Sequence, residues 1–400
     1  MATLKSTYRN LFRIDGVKGF SAAAFLGRLP AGMMTLAIIL AIIMLMGSYA
    51  VAGIVAAATM LGMALCAPFT GRLVDSFGQS RVLLISMLFN LLGTISLILS
   101  IKFIASIFIM CCAGFIAGAS RLSTGTLARS RWAYVIQQLD FEQREGKLHS
   151  AYTFESIVDE VVFVSAPLLV TYLCTQFNVL SGLIACLVTY LLGALLLSVQ
   201  LKTQPPAHPD QPKNIFTLGA TPGLMSIALA ILFIGISAGS IEVIVVARAT
   251  QLDLRNFIGT FMAILAIASM MAGFWYGTQR FKYSEYKLWV YCLGGLAYAL
   301  IPFVFSSYLA VLIMSLFIAG LLIGPTSIAG QLFVKKILPD RMLNEGMSIM
   351  VTAMISGMAI GSWLAGLFIQ YVGLFSASLL PVSTVFVSFI VARYFCEEVY

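Results

Sequence analysis

The sequence predicts an all-α membrane protein of twelve transmembrane helices, grouped as two six-helix bundles with both termini on the cytoplasmic face. Composition is the first observation behind this. Of 400 residues, 60% are hydrophobic and only 10% charged, and the mean hydropathy is +0.99. Soluble domains carry about a quarter charged residues, so this chain has lipid for its solvent. The second observation is segmentation into apolar stretches long enough to cross a bilayer. The third is the distribution of Lys and Arg, which fixes orientation.

The apolar stretches fall at 20–44, 48–69, 82–101, 104–131, 149–173 and 178–199, and resume at 222–247, 256–279, 287–306, 308–333, 343–370 and 373–395. Between the sixth and seventh lies LKTQPPAHPDQPKN (201–214), with four prolines and no apolar face. It reads as a linker, which divides the chain into a first bundle (1–199), a cytoplasmic linker (200–221) and a second bundle (222–400). With the N-terminus inside, 19 of the 24 Lys and Arg residues fall in cytoplasmic segments. Only Lys102, Arg248 and Arg255 fall in outer loops, and Arg28 and Arg121 within spans. The net charge of +8 therefore reports orientation and calls for no nucleic-acid partner. The basic N-terminus runs into an apolar stretch too long for a cleaved signal and reads as a retained first span.

Several function classes drop out. There are two histidines and seven cysteines without paired spacing, so neither a metal site nor a disulfide framework is expected. No Walker-type loop and no GxGxxG occurs, so ATP is not the expected energy source and no cofactor is expected. Nothing points to an enzyme. The halves look like repeats: REGKLHSAYTFESIVDEVVF (144–163) and NEGMSIMVTAMISGMAIGSW (344–363) begin alike, 200 residues apart. GRLVDSFGQSR (71–81) faces GFWYGTQRFKY (273–283) more loosely. A six-span duplication is a transporter signature, with the ligand site expected between the halves near the midplane.

Between spans 2 and 3, GRLVDSFGQSRVLL resembles the loop signature of the major facilitator superfamily at Gly71, Leu73, Asp75, Gly78 and Arg81. Ser76, Gln79 and Ser80 stand at positions usually basic in that family. Arg121 followed by Gly125 resembles the span 4 pattern of proton-coupled members. In span 5, SAPLLV (165–170) keeps only Pro167 of the antiporter motif, with Ala166 in a glycine position. The resemblance implies a secondary active transporter of a bacterial-type inner membrane, working as a monomer by alternating access and driven by the proton gradient. It points to proton-coupled export of a small amphipathic compound. Proton-coupled or facilitated uptake is the alternative, and a non-transporting receptor or assembly protein on the same fold is the alternative of another class.

Intramembrane charges are costly and functional by default. At 1.5 Å per residue, count-backs place Arg28, Arg121 and Asp159 in one layer about 15 Å from the cytoplasmic end, with Glu155 one turn below and Glu160 beside it. Two arginines cannot neutralise three carboxylates. That favours a proton relay through Asp159 or Glu155, with Glu160 bracing the bundle, over a static salt-bridge network. Glu242 and Arg248 are expected to form an ion pair at the outer rim. Arg129 and Arg131, beside Trp132 and Tyr134, are expected to anchor span 4 at the interface, or to bond Asp75 or Glu155. Span 11 carries a stripe of Met347, Met350, Met354 and Met358, which reads either as packing or as an adaptable binding wall. Met350, Met354 and Met358, with Asn90 and Trp363, are the candidate substrate cavity. Gly235, Gly239, Gly320, Gly324 and Pro325 are expected at close helix contacts and bends.

Overall fold

A computed structural model describes residues 11–139, 141–207, 223–279, 281–338 and 343–395. Most of the predicted linker lies outside these segments, as do Lys213, Arg280 and Arg341. Among the described residues, twelve helices are long and apolar enough to cross a membrane, and the chain is a multi-pass membrane protein. Each predicted span has its helix. Span 1 is Val17–Met46, span 2 Tyr49–Phe77, span 3 Gln79–Lys102, span 5 Phe141–Gln176 and span 6 Ser181–Ser198. In the second half, span 7 is Leu224–Gln251, span 8 Ile258–Thr278, span 10 Leu309–Ile337, span 11 Leu343–Tyr371 and span 12 Leu374–Phe395.

Local chemistry sets the ends. Ser48 and Ser106 cap spans 2 and 4, their hydroxyls accepting from the amides of Val51 (3.3 Å) and Ile109 (3.5 Å), as a helix N-terminus requires. Gly47 closes span 1 at φ 65°, in the left-handed region that suits glycine. Two spans depart from the prediction by being interrupted. Span 9 is Glu285–Ala299 followed by the short turn Ile301–Val304, with Pro302 at the break. Span 4 is Ile107–Ala119 and then Thr124–Gln137, separated by non-helical Ser120–Ser123.

The core divides by depth. One hydrophobic cluster joins both bundles on the side away from the linker: Leu36–Ile42 of span 1, Ala52–Ala56 of span 2 and Val243–Val246 of span 7 belong to it together. On the linker side there are two separate clusters. One contains Val17, Phe20, Leu83, Trp132 and Leu197 of the first bundle. The other contains Leu224, Trp289, Phe333 and Val391 of the second. The bundles meet backbone to backbone where they join. A Cβ on Gly366 would collide with the Tyr49 carbonyl, and one on Gly259 would lie 2.5 Å from the Pro167 carbonyl. The Tyr49 amide also donates to Gln370 Oε1 at 3.1 Å. Among the described residues, then, the bundles share one core on the far side and have separate cores on the linker side.

Candidate functional site

Four charged residues of the first bundle assemble at Arg28, the twelfth residue of span 1. Arg28, on the buried face of that helix, ion-pairs through Nη2 with Glu155 and through Nη1 with Asp159 at 3.1 Å. Glu155 and Asp159 are four residues apart and so share a face of span 5. Asp159 also accepts from Arg129 Nη2 at 2.5 Å, and Glu155 accepts from the Trp132 indole at 2.6 Å. Phe12, Phe20 and Phe154 pack edge-on around Trp132, with ring centroids 5.2–6.4 Å away. Arg28 and Glu155 are 5% and 1% exposed, whereas Asp159 and Arg129 are 32% and 36% exposed. The cluster thus has a buried end, Arg28–Glu155–Trp132, and a partly exposed end, Asp159–Arg129.

Two sequence expectations are corrected here. Arg121 is not a partner of the carboxylates. It lies in the break of span 4, where the count-back assumed continuous helix, and it donates to the Pro30 carbonyl at 2.7 Å and to Met63 Sδ at 2.8 Å. Arg129, one helical turn into the second segment of span 4, takes the place expected for Arg121 and does not act as an interface anchor. Two arginines then balance two carboxylates. Glu160 is left out: it forms no ion pair among the described residues and braces nothing by charge. It shares a helical face with Pro167, seven residues on, which meets Gly259 of span 8.

The break in span 4 is held by its neighbours. Tyr190 of span 6 accepts from the Leu122 amide at 2.9 Å, Ser86 of span 3 donates to the Ser120 carbonyl, and Ser86 and Tyr190 bond each other at 2.8 Å. Ser123 caps the second segment by accepting from the Thr126 amide at 3.4 Å. Backbone groups freed inside a membrane protein are thereby satisfied. The signal was in the sequence: Ser120, Ser123 and Thr124 are cap-forming residues inside an apolar run.

The loop motif is a polar joint. Gly78 turns at φ 86°. Its neighbour Gln79 accepts from Arg131 Nε at 2.7 Å and donates to Ser130 Oγ at 2.6 Å. Arg131, fully buried, also donates to Thr203 Oγ1 and to the carbonyls of Gln200 and Leu197, at 2.9–3.0 Å. Ser80 donates to Gln204 Oε1 from both amide and hydroxyl. Gln79 and Ser80, which depart from the basic pattern of the motif, are the residues that tie spans 2–3 to span 4 and the end of span 6. Arg131 bonds these groups, neither anchoring the interface nor reaching Glu155. Gly71 faces open space, and Arg81 is exposed.

The candidate cavity residues separate. Met354 and Met358 are half-buried against span 7, where Gly235 and Gly239 meet their carbonyls, and Met358 also packs on Ala57 and Met60 of span 2. Met350 is 6% exposed within the linker-side core of the second bundle. Asn90 is buried at the contact of spans 3 and 4, donating to the Ala117 carbonyl at 2.8 Å. Trp363 is 40% exposed, about 100° around the helix from Ser362, whose carbonyl meets Gly53 and whose hydroxyl bonds Gly239. Its Cα also lies beside Gly53 of span 2, at a depth where the bundles are joined.

The Glu242–Arg248 pair does not form. Six helical residues place the two side chains about 120° apart around the axis and 9 Å along it. Arg248 is 3% exposed and donates instead to Gln251, Ser307, Ser378 and the Val304 carbonyl at 3.2–3.5 Å. Glu242 keeps partial exposure on span 7. On span 1, Ala31 and Thr35 keep exposure and residues 36–42 are all buried; on span 7, Ala238 and Glu242 keep exposure and residues 243–249 are all buried. Thr35 and Glu242 are the partly exposed positions that immediately precede the fully buried stretch of each helix.

The sequence matches no family model and no curated protein. Solved structures do match over nearly the whole chain. A bacterial homologue of the iron transporter ferroportin in the inward-facing state superposes with a TM-score of 0.74 at 12% identity, covering 96% of this chain and 99% of that one. A variant of the nucleoside transporter NupG gives 0.71 at 14% identity, covering 96% and 99%. A bacterial ferroportin homologue in the outward-facing state gives 0.65 at 14% identity, covering 95% and 99%. The chain has the major facilitator fold that these proteins share.

Proposed function

We propose that the chain is a secondary active transporter of the major facilitator superfamily, exporting a small amphipathic organic compound across the inner membrane in exchange for protons. It works as a monomer by alternating access, with the proton gradient as its energy source and the linker side facing the cytoplasm. The observation that carries this reading is the Arg28–Glu155–Asp159–Arg129 cluster, buried at one end and partly exposed at the other. Asp159 is the more exposed of the two carboxylates, and it holds cations from two helices. A proton on Asp159 frees Arg129 while Arg28 keeps Glu155. Proton occupancy thus changes the tie between spans 4 and 5 and spares the tie between spans 1 and 5. Glu155, held by Arg28 and Trp132, positions Arg28.

The separate linker-side cores correspond to an inward-facing state. The greater likeness to the inward-facing ferroportin homologue than to the outward-facing one, 0.74 against 0.65, accords with it. Alternating access then requires the joined far side to open and the linker side to close. A second reading, proton-coupled uptake, is favoured by Ala166. Its methyl lies 2.8 Å from where a Gly32 Cβ would stand, where the antiporter pattern has a glycine.

The test is gradient-driven transport in proteoliposomes. A compound that stabilises the purified chain against heat is first identified from a library, and its movement is then followed under an imposed pH gradient. Asp159→Asn is expected to bind the compound while losing gradient-driven accumulation. If Asp159→Asn and Glu155→Gln both still follow the gradient, the proton role of this cluster is wrong.

A further inference from the structure

Glu242 has no place in the mechanism above, and its surroundings define a task for it. Among the described residues its carboxylate has no ion pair. The basic groups of the transmembrane core are engaged elsewhere: Arg28 and Arg129 by the span 5 carboxylates, Arg121 by Pro30 and Met63, Arg248 by four oxygens near the far end of span 7. A carboxylate deep in a protein of this kind needs a positive partner or a proton. Glu242 has no such partner among the described residues, and its side chain keeps partial exposure.

That placement is symmetric. Gly32 of span 1 sits against Val162 and Ala166 of span 5, and Gly239 of span 7 sits against Met358 of span 11. Thr35 and Glu242 each follow their glycine by three residues, nearly one turn, and each immediately precedes the fully buried stretch of its helix. The two bundles therefore present a hydroxyl and a carboxylate at matching positions. Met354 and Met358, half-buried on span 11, flank span 7.

We infer that Glu242 is the recognition group for a cationic cargo: an organic amine or other organic cation whose charge pairs with the carboxylate and whose apolar body lies on the Met354 and Met358 side. A divalent metal is a poorer match. Such an ion takes several oxygen, nitrogen or sulfur ligands, and no group of three or more His, Cys, Asp or Glu side chains suited to one occurs among the described residues. A neutral sugar is poorer still, because it leaves the carboxylate uncompensated. The inference rests on the transporter reading and names the class of compound carried.

The experiment is equilibrium binding of tetraphenylphosphonium and of phenethylamine to the purified full-length chain, with neutral triphenylphosphine oxide as the uncharged control. Wild-type protein is expected to bind at least one cation and to discriminate against the oxide. Glu242→Gln should weaken cation binding at least tenfold, Glu242→Asp should retain part of it, and the exposed Glu285→Gln should leave it unchanged. The thermal unfolding temperature of the empty variants reports whether they fold. Absence of cation binding to the wild-type chain, or equal affinity in Glu242→Gln, overturns the inference. Binding that depends on Glu242 without gradient-driven transport would refute the transporter reading and leave this one standing. Gradient-driven transport lost in Asp159→Asn, with cation binding indifferent to Glu242, would do the reverse.

Discussion

Replacing Arg28 by methionine should destabilise the protein far more than removing any surface charge, and the effect should be recoverable. Arg28 is 5% exposed and bridges Glu155, 1% exposed, and Asp159. Methionine is close to the arginine stem in volume, so packing changes little. The loss is electrostatic: Glu155 keeps the Trp132 indole at 2.6 Å but becomes a buried anion without a cation. Breaking a buried pair in this way costs about 3–5 kcal/mol. The exposed pair of Lys336 and Glu285, 48% and 40% exposed, is the internal reference and contributes about 0–1 kcal/mol. Glu155→Gln added to Arg28→Met removes the orphaned charge while its amide oxygen still accepts from Trp132. The double variant should therefore regain most of the loss, giving a coupling of the size expected for residues in contact. The assay is unfolding in detergent, by heat and by denaturing detergent titration, on the four proteins of the cycle and on Lys336→Ala. If Arg28→Met costs no more than Lys336→Ala, or if the double variant is worse than Arg28→Met alone, the cluster is not the buried ion pair described here.

Two further outcomes are expected. Gly366→Leu places a side chain against the Tyr49 carbonyl and Gly53, so it should pry spans 2 and 11 apart and open the far side. A cysteine introduced by Thr35→Cys should then label several-fold faster with a membrane-impermeant thiol reagent added from the side opposite the linker, and unchanged labelling would show that this contact does not close the far side. Tyr190→Phe removes the acceptor of the Leu122 amide in the span 4 break. It should lower stability by about 1–3 kcal/mol, the cost of a buried donor left unmade, and a melting temperature equal to wild type would mean that the break is not held there.

The fold was legible because lipid imposes it. Twenty apolar residues in a row have one stable arrangement in a bilayer, and Lys and Arg placement adds direction. What hydropathy could not show was the interruption of span 4. Arg121 was counted as helical because isoleucine, alanine and leucine surround it, and averaging over a window erases four residues of Ser-Arg-Leu-Ser. That displacement rotated Arg121 away from span 5 and left the vacancy that Arg129 fills. A count of rise per residue gives depth well, but azimuth accumulates 100° per residue, so a short non-helical segment is enough to exchange one partner for another.

The same distinction between depth and azimuth explains which site residues sequence reasoning could reach. Arg28, Glu155 and Asp159 came together because each lies on an unbroken helix, and because carboxylates four residues apart must share a face. Glu242 and Arg248 were paired on charge and proximity alone, yet a separation of six residues is neither three, four nor seven, and the helix turns them apart. The error concealed the more informative fact. A paired Glu242 would be a rim ornament of the fold, whereas an unpaired one just before the buried stretch of span 7 is a group whose partner must arrive from outside. Thr35 had no signal at all, since a threonine in an apolar helix ordinarily bonds its own backbone. Its position matters because exposure along span 1 is interrupted just after it, as exposure along span 7 is interrupted just after Glu242. The matching of Thr35 and Glu242 is thus a property of two helices read together, which no single stretch of sequence encodes.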